Sequence, residues 1–169
     1  MFPDRWHDYT VCGNVIEGTN FICFKVPLRE EMFEYVTNDL DRWTIKNLIK
    51  QQCSLGAVID LTNTFRYYDN ANMRDEGLLY KKIRVPGQVL PDENVVQLFF
   101  DVVKHFTARC PGMLIGVHCT HGLNRTGYLV CRYMINILNI SPQDAIARFE
   151  TARGHKIERQ NYIQHLLTL

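Results

Sequence analysis

No run of apolar residues in this 169-residue chain approaches the ~20 that a helix needs to cross a bilayer. A helical membrane span is therefore excluded. The stretch Met1-Phe2-Pro3-Asp4-Arg5-Trp6 has neither the apolar core of a secretion signal nor the Arg- and Ser-rich character of a transit peptide. A soluble, intracellular protein with no membrane partner is expected. Repeats, low-complexity tracts and linker-like segments are missing, so residues 1–169 read as one domain, long enough to bury a real core. Excess charge of one sign is missing too: 19 Lys and Arg stand against 18 Asp and Glu, leaving a net +1. That balance excludes a protein that coats nucleic acid by bulk charge, and any contact with a polyanion has to be local. Six cysteines are present, but no second Cys/His cluster has zinc-like spacing, and nothing marks them as a disulfide framework. No metal and no cofactor are expected.

What the chain does have is His118-Cys119-Thr120-His121-Gly122-Leu123-Asn124-Arg125-Thr126-Gly127. The apolar run Met113-Leu114-Ile115-Gly116-Val117 precedes it, and a helix-like apolar run from Tyr128 to Leu138 follows. A cysteine thus sits where a strand ends, and an arginine where a helix starts. Successive backbone N–H groups in such a loop converge on an anion, and the helix N-terminus adds partial positive charge. The same field lowers a thiol from about 8.5 toward neutrality, so Cys119 is expected to be a thiolate and a nucleophile. Arg125 offers a planar fork for two phosphoryl oxygens and for the charge that develops in transfer. Thr120, His121, Gly122, Leu123, Asn124, Arg125 and Thr126 form the expected phosphate cradle, with Gly122 and Gly127 where the backbone turns sharply or approaches closely. Thr126 can donate a hydrogen bond to the sulfur. His118 and Asn124 are read as holding the loop in shape. His121 either touches a bound polyphosphate or supports the loop. The expected reaction is attack of Cys119 on phosphorus, then hydrolysis of the phosphocysteine.

The element pattern argues an α/β fold, a mostly parallel sheet flanked by helices with the phosphate loop at a strand's carboxyl end. Strands are predicted over 11–16, 21–26, 57–61, 78–85 and 113–118, and helices over 43–52, 95–106 and 128–138. Residues 67–77 read as polar and irregular. The 95–106 helix is expected to bury Val95, Leu98, Phe99, Val102, Val103 and Phe106. Ser141-Pro142 opens a further helix as N-cap and N1, with Ala145, Ile146 and Phe149 as its stripe and Gly154 as its stop. A last short helix covers 160–167.

Acidic and basic candidates are less sharply marked. Asp92 or Glu93 could protonate a leaving group, but Asp92 also suits the N-cap of the helix that follows, which is the preferred reading. Asp60, at a strand end beside Thr62-Asn63-Thr64, is read as hydrogen-bonding a turn or the loop. Among Arg66, Lys81, Lys82, Arg84, Arg153, Lys156 and Arg159, the segment Lys81-Lys82-Ile83-Arg84 is the favoured source of cations for outer phosphates. Strand alternation puts Lys82 and Arg84 on one face and Lys81 on the other.

The pattern His118-Cys119, five residues, Arg125-Thr126-Gly127 resembles the signature loop of the cysteine-dependent phosphatase superfamily. Thr120-His121-Gly122 with Asn124-Arg125 is similar to its RNA 5'-triphosphatase branch, which includes the phosphatase domain of animal mRNA capping enzymes. Phe24-Lys25-Val26-Pro27-Leu28, Asp60-Leu61-Thr62-Asn63-Thr64, Val85-Pro86-Gly87-Gln88 and Ala152-Arg153-Gly154-His155-Lys156-Ile157-Glu158-Arg159 extend the likeness, nearly along the whole chain, to the stand-alone baculovirus RNA 5'-phosphatases. The resemblance implies metal-independent removal of γ and then β phosphate from RNA 5'-triphosphate and diphosphate ends, with a lesser activity on phosphoproteins. It also implies a monomer working in the cytoplasm or nucleus of a host cell, or associated with virions. A dual-specificity phosphatase acting mainly on phosphoproteins is the alternative. The lysines that phosphoinositide phosphatases carry inside the loop are absent, as is the lysine-x-aspartate-glycine pattern of guanylyl transfer.

Overall fold

A computed structural model describes residues 1–169. The chain forms β1 (Cys12–Val15), β2 (Phe21–Phe24), α1 (Ile45–Gln51), β3 (Leu55–Asp60), α2 (Asn70–Asp75), β4 (Leu79–Lys82), α3 (Glu93–Arg109), β5 (Leu114–His118), α4 (Asn124–Asn136), α5 (Pro142–Arg153) and α6 (Gln160–Leu167). The five strands make one sheet in the order β1-β2-β5-β3-β4. β1 pairs antiparallel with β2, and every other pairing is parallel. β5 therefore lies in the centre, and its carboxyl end delivers Cys119.

Strand alternation divides the core in two. Phe21, Cys23, Ala57, Ile59, Ile115 and Val117 face one layer, with Phe99 and Val103 of α3, Leu129 and Val130 of α4, Phe149 of α5 and Tyr162 and Leu166 of α6. Ile22, Phe24, Leu55 and Val58 face the other, with Trp6, Phe33, Trp43, Leu48 and Met73. Sheet strands buried on both faces read as continuous apolar runs, which is why β3 and β5 stand out in the sequence.

The predicted elements are present, most with bounds shifted by one or two residues, and four differences are larger or bear on the core and the site. Residues 67–77 are not wholly irregular: α2 occupies Asn70–Asp75, opened by Asp69, whose carboxylate accepts from the Ala71 N–H. A six-residue polar helix lacks the length to display a periodicity. β4 ends at Lys82 rather than running to Val85. α3 starts two residues earlier than predicted; it buries Val96, Val95 packs partly buried against the core as expected, and Leu98 is exposed. α4 begins at Asn124, so Asn124 and Arg125 lie in its first turn. The Ser141 cap, Pro142 at the first helical position and Gly154 as the left-handed stop hold as read.

Gly116, at the middle of β5, is a point of close approach. A Cβ there would lie 2.6 Å from Phe24 Cε1 and 3.1 Å from Leu55 Cδ1. Gly116→Ala is expected to cost about 1–3 kcal/mol through overpacking, read as a lower urea midpoint with an unchanged denaturant slope.

Candidate active site

The loop between β5 and α4 is shaped by what holds its carbonyls. The Val26 N–H donates to Thr120 O at 3.0 Å. Arg153 donates through Nη2 to His121 O at 2.8 Å and through Nε to Gly122 O at 3.1 Å. In a trans peptide the carbonyl and the following N–H point in opposite directions. Three carbonyls drawn outward therefore turn the N–H groups of His121, Gly122 and Leu123 toward the loop's centre, the form of an anion-binding nest. Gly122 makes this possible: its φ of +73° is left-handed, and a Cβ would collide with the Phe24 carbonyl.

Cys119 sits at that centre, 3% exposed. Burial works against its ionisation. Arg125, the Thr126 hydroxyl, and the N–H groups of Thr126 and Gly122 outweigh it, and the thiol is lowered below its ordinary value. The Thr126 hydroxyl is buried with no nitrogen or oxygen partner, so the sulfur is the acceptor left to it. No side chain caps α4. Arg125 is held at two points, Nη1 on Val85 O at 2.9 Å and Nη2 on Thr120 Oγ1 at 3.1 Å. Its guanidinium is thereby fixed at the rim of a cavity of about 250 Å³ that Cys119, Thr120, His121 and Asn124 also line. Asn124 Oδ1 accepts from the N–H groups of Glu158 and Arg159 at 2.8 and 3.0 Å. That pair of bonds brings the 158–159 segment to the rim, where Arg159 lines the cavity.

His118 is fully buried, with Nδ1 donating to Cys119 O at 2.9 Å and Nε2 2.8 Å from the Tyr68 hydroxyl. Burial lowers its pKa, so the ring is neutral near pH 7. Tyr68 then gives its single proton to Nε2, and Asp60 is served by other groups. Its Oδ1 accepts from the Thr62 N–H at 2.9 Å and hydroxyl at 2.6 Å, and its Oδ2 from Tyr80 at 2.7 Å and Lys82 Nζ at 3.0 Å. Burial opposes the Asp60 charge, but His118, the Thr62 and Tyr80 hydroxyls and Lys82 bring its pKa down to about 2. Asp60 thus anchors the turn after β3, and Tyr68, beside it, holds His118 at the start of the loop.

Several basic candidates lie elsewhere than the sequence pattern suggested. Lys82 is committed to Asp60 and to Thr62 Oγ1, its side chain 8% exposed. Lys81 and Arg84 do not line the cavity; Arg84 reaches Asn63 O at 3.2 Å. Strand alternation assigned a face but not a partner, and the partner of Lys82 lies 22 residues away. Arg153, 2% exposed, braces the loop from beneath. Arg66, Arg159 and Tyr67 do line the cavity. Asp92 caps α3, accepting from the Asn94 N–H at 2.7 Å and the Val95 N–H at 3.4 Å, and Glu93 forms a two-pronged pair with Arg132. Neither faces the cavity. Sequence reasoning missed the wall given by Pro3 and Asp4. The Asp4 carbonyl meets His121 Nε2 at 2.6 Å, and Tyr9 packs beside that ring. Lys25 ties the segment down, donating to Trp6 O and Tyr9 O at 2.9 and 2.7 Å beneath the Trp6 ring. No local pattern in residues 1–10 announces this role.

A thiolate in a nest of N–H groups, with a fixed guanidinium opposite, is suited to phosphoryl transfer onto sulfur. The family model for the catalytic domain of dual specificity phosphatases matches residues 41–169. The chain belongs to that family. A tyrosine-protein phosphatase of Autographa californica nuclear polyhedrosis virus is 64% identical over 167 residues, 99% of each chain. The mouse RNA/RNP complex-1-interacting phosphatase is 45% identical over 97% of this chain and 52% of its own length. Among solved structures, Tk-PTP in its active form aligns at a TM-score of 0.66 and 16% identity, over 92% of this chain and 96% of its own. PTPMT1 aligns at 0.67 and 18%, over 93% and 92%. These two establish the fold. The chain is a phosphatase of the dual-specificity and protein-tyrosine phosphatase superfamily, and no helix is long and apolar enough to cross a membrane.

Two outcomes follow from the charges. Alkylation of Cys119 by iodoacetamide should rise with pH around a midpoint below the ordinary thiol value of about 8.5, and Arg125→Met should move that midpoint upward; mass spectrometry of the modified peptide reads both. Asp60, depressed on folding, stabilises fully above pH of about 4 and loses that contribution as pH falls toward 2. Asp60→Asn should therefore be less stable than wild type near neutrality, with the gap narrowing in acid, by denaturant titration at a series of pH values.

Proposed function

We propose that this phosphatase is an RNA 5'-polyphosphatase that removes γ and then β phosphate from RNA 5' ends, without metal, with a lesser activity on phosphoproteins. The observation that carries this reading is the set of arginines at the Cys119 cavity: Arg66 and Arg159 line it together with Arg125. A phosphotyrosine ester brings one phosphate, which the loop N–H groups and Arg125 match alone. Two further arginines suit the extra charges of a polyphosphate chain.

Cys119 Sγ attacks the terminal phosphorus; the P–S bond forms as the bridging P–O bond breaks, and the shortened RNA end leaves with the electron pair. Arg125 and the nest hold the equatorial oxygens. Water then attacks the phosphocysteine, releasing inorganic phosphate and returning the thiolate, with the Thr126 hydroxyl assisting the departing sulfur. A diphosphate end repeats the cycle and stops as a monophosphate. Phosphate leaving groups are stable anions and need less protonation than a phenoxide, which accords with Asp92 serving as a helix cap. Relatives named as RNA/RNP complex-1-interacting phosphatases support the reading. The name tyrosine-protein phosphatase, carried by the viral relative, favours the second reading, a phosphatase acting mainly on phosphoproteins.

The deciding experiment is phosphate release in excess EDTA from 5'-triphosphate RNA beside a phosphotyrosine peptide, with Cys119→Ser as blank. The proposal expects RNA to turn over faster and to end as monophosphate; faster turnover of the peptide overturns it. Asp92→Asn should change RNA turnover less than about threefold and leave stability nearly unchanged, because an asparagine Oδ1 can take the same two N–H groups.

A further inference from the structure

Residues 63–67 leave the Asp60 network and reach the cavity at Arg66 and Tyr67. Arg66 and Tyr67 line the cavity, whereas Phe65, next in sequence, does not and is 56% exposed. Two cations attend its ring: the Arg84 guanidinium carbon lies 5.2 Å and Lys82 Nζ 4.9 Å from its centroid. The ring stands on a braced support. Thr62 Oγ1 reaches Thr64 O at 3.3 Å, the Arg66 N–H reaches Thr64 Oγ1 at 3.3 Å, and Arg84 Nη2 reaches Asn63 O at 3.2 Å. The platform also adjoins the chemistry, because Arg84 directly precedes Val85, whose carbonyl holds Arg125.

A single exposed phenylalanine is ordinary on a protein surface. Lys82, committed to Asp60, only supports the ring. An exposed ring with an exposed arginine against it, next in sequence to two residues of an arginine-lined cavity, has the composition of a single-strand nucleic-acid platform. There aromatic faces stack on bases and neighbouring cations meet the backbone phosphates. We infer that Phe65, flanked by Arg84, stacks against the leading nucleobase of an RNA whose 5' phosphates occupy the Cys119 cavity. This inference rests on the polyphosphatase reading above and adds the nucleoside to it. Because every base presents a π-face, the platform prefers RNA over bare polyphosphate without preferring a sequence.

The test compares steady-state kinetics on a short single-stranded 5'-triphosphate RNA and on inorganic tripolyphosphate, for wild type, Phe65→Ala and Phe65→Trp. Phe65→Ala is expected to raise KM for RNA about fivefold or more with kcat held, so that the ratio of the two KM values rises by the same factor. Phe65→Trp should keep the wild-type ratio or lower it. A ratio unchanged in Phe65→Ala overturns the platform, whether both KM values rise together or neither does. A wild type with equal KM for both substrates also overturns the platform and leaves polyphosphate hydrolysis standing. A wild type that cleaves neither polyphosphate but does cleave a phosphotyrosine peptide overturns the RNA reading itself, and the platform with it.

Discussion

Arg153 turns the carbonyls of His121 and Gly122 outward, and the rest of the site depends on that orientation. A nest of inward N–H groups is electrostatically strained when no anion neutralises it, so something must hold it open. Here a buried guanidinium does so from behind, with the Val26 N–H taking the next carbonyl. The nest in turn makes a buried thiolate tolerable. Burial alone would keep Cys119 protonated, as it does Cys23 and Cys131, whose thiols are pushed far up. Three buried cysteines in one core thus differ in reactivity because only one is met by N–H groups and an arginine.

Beneath the loop, the chain of Lys82, Asp60, Tyr68 and His118 converts a buried charge into positional order. Asp60 is filled by Thr62, Tyr80 and Lys82, and His118 by Tyr68 and the Cys119 carbonyl, so the cluster can lie in the low-dielectric interior without an orphaned group. His118 stays neutral in this arrangement and its Nδ1 proton fixes the Cys119 carbonyl. The network also ends at the 63–67 segment, so the side of the cavity that carries Arg66 and Tyr67 is tied to the same anchor as the nucleophile's backbone.

Placement of a cysteine at a strand end and an arginine in a helix's first turn was legible, because strand, loop and helix signals are consecutive in sequence. Helix α5 was equally legible, since Ser141, Pro142 and Gly154 are local caps whose effect needs no partner. What escaped was long-range or carried no period. α2 is too short and polar to show one. Lys82 read as free for phosphate because its alternation is local and Asp60 is not. Arg153 read only as one of several cations that could meet outer phosphates, because its acceptors are backbone carbonyls, which sequence does not mark. Pro3 and Asp4 became cavity wall only because Lys25, buried beneath Trp6, ties their segment across the loop.

Arg153 bonds Thr10 across 143 residues, Arg5 and Tyr9 both meet Glu158, and Asn124 secures residues 158 and 159. The nest is therefore braced by segments from opposite ends of the polypeptide. Such distant pairings are late and slow to form, and synthesis delivers the N-terminal segment well before its partners. During translation the thiol of Cys119 emerges ahead of Arg153, when only the Val26 N–H is there to draw a loop carbonyl outward. The nest around the thiol is complete only once Arg153 has reached the carbonyls of His121 and Gly122.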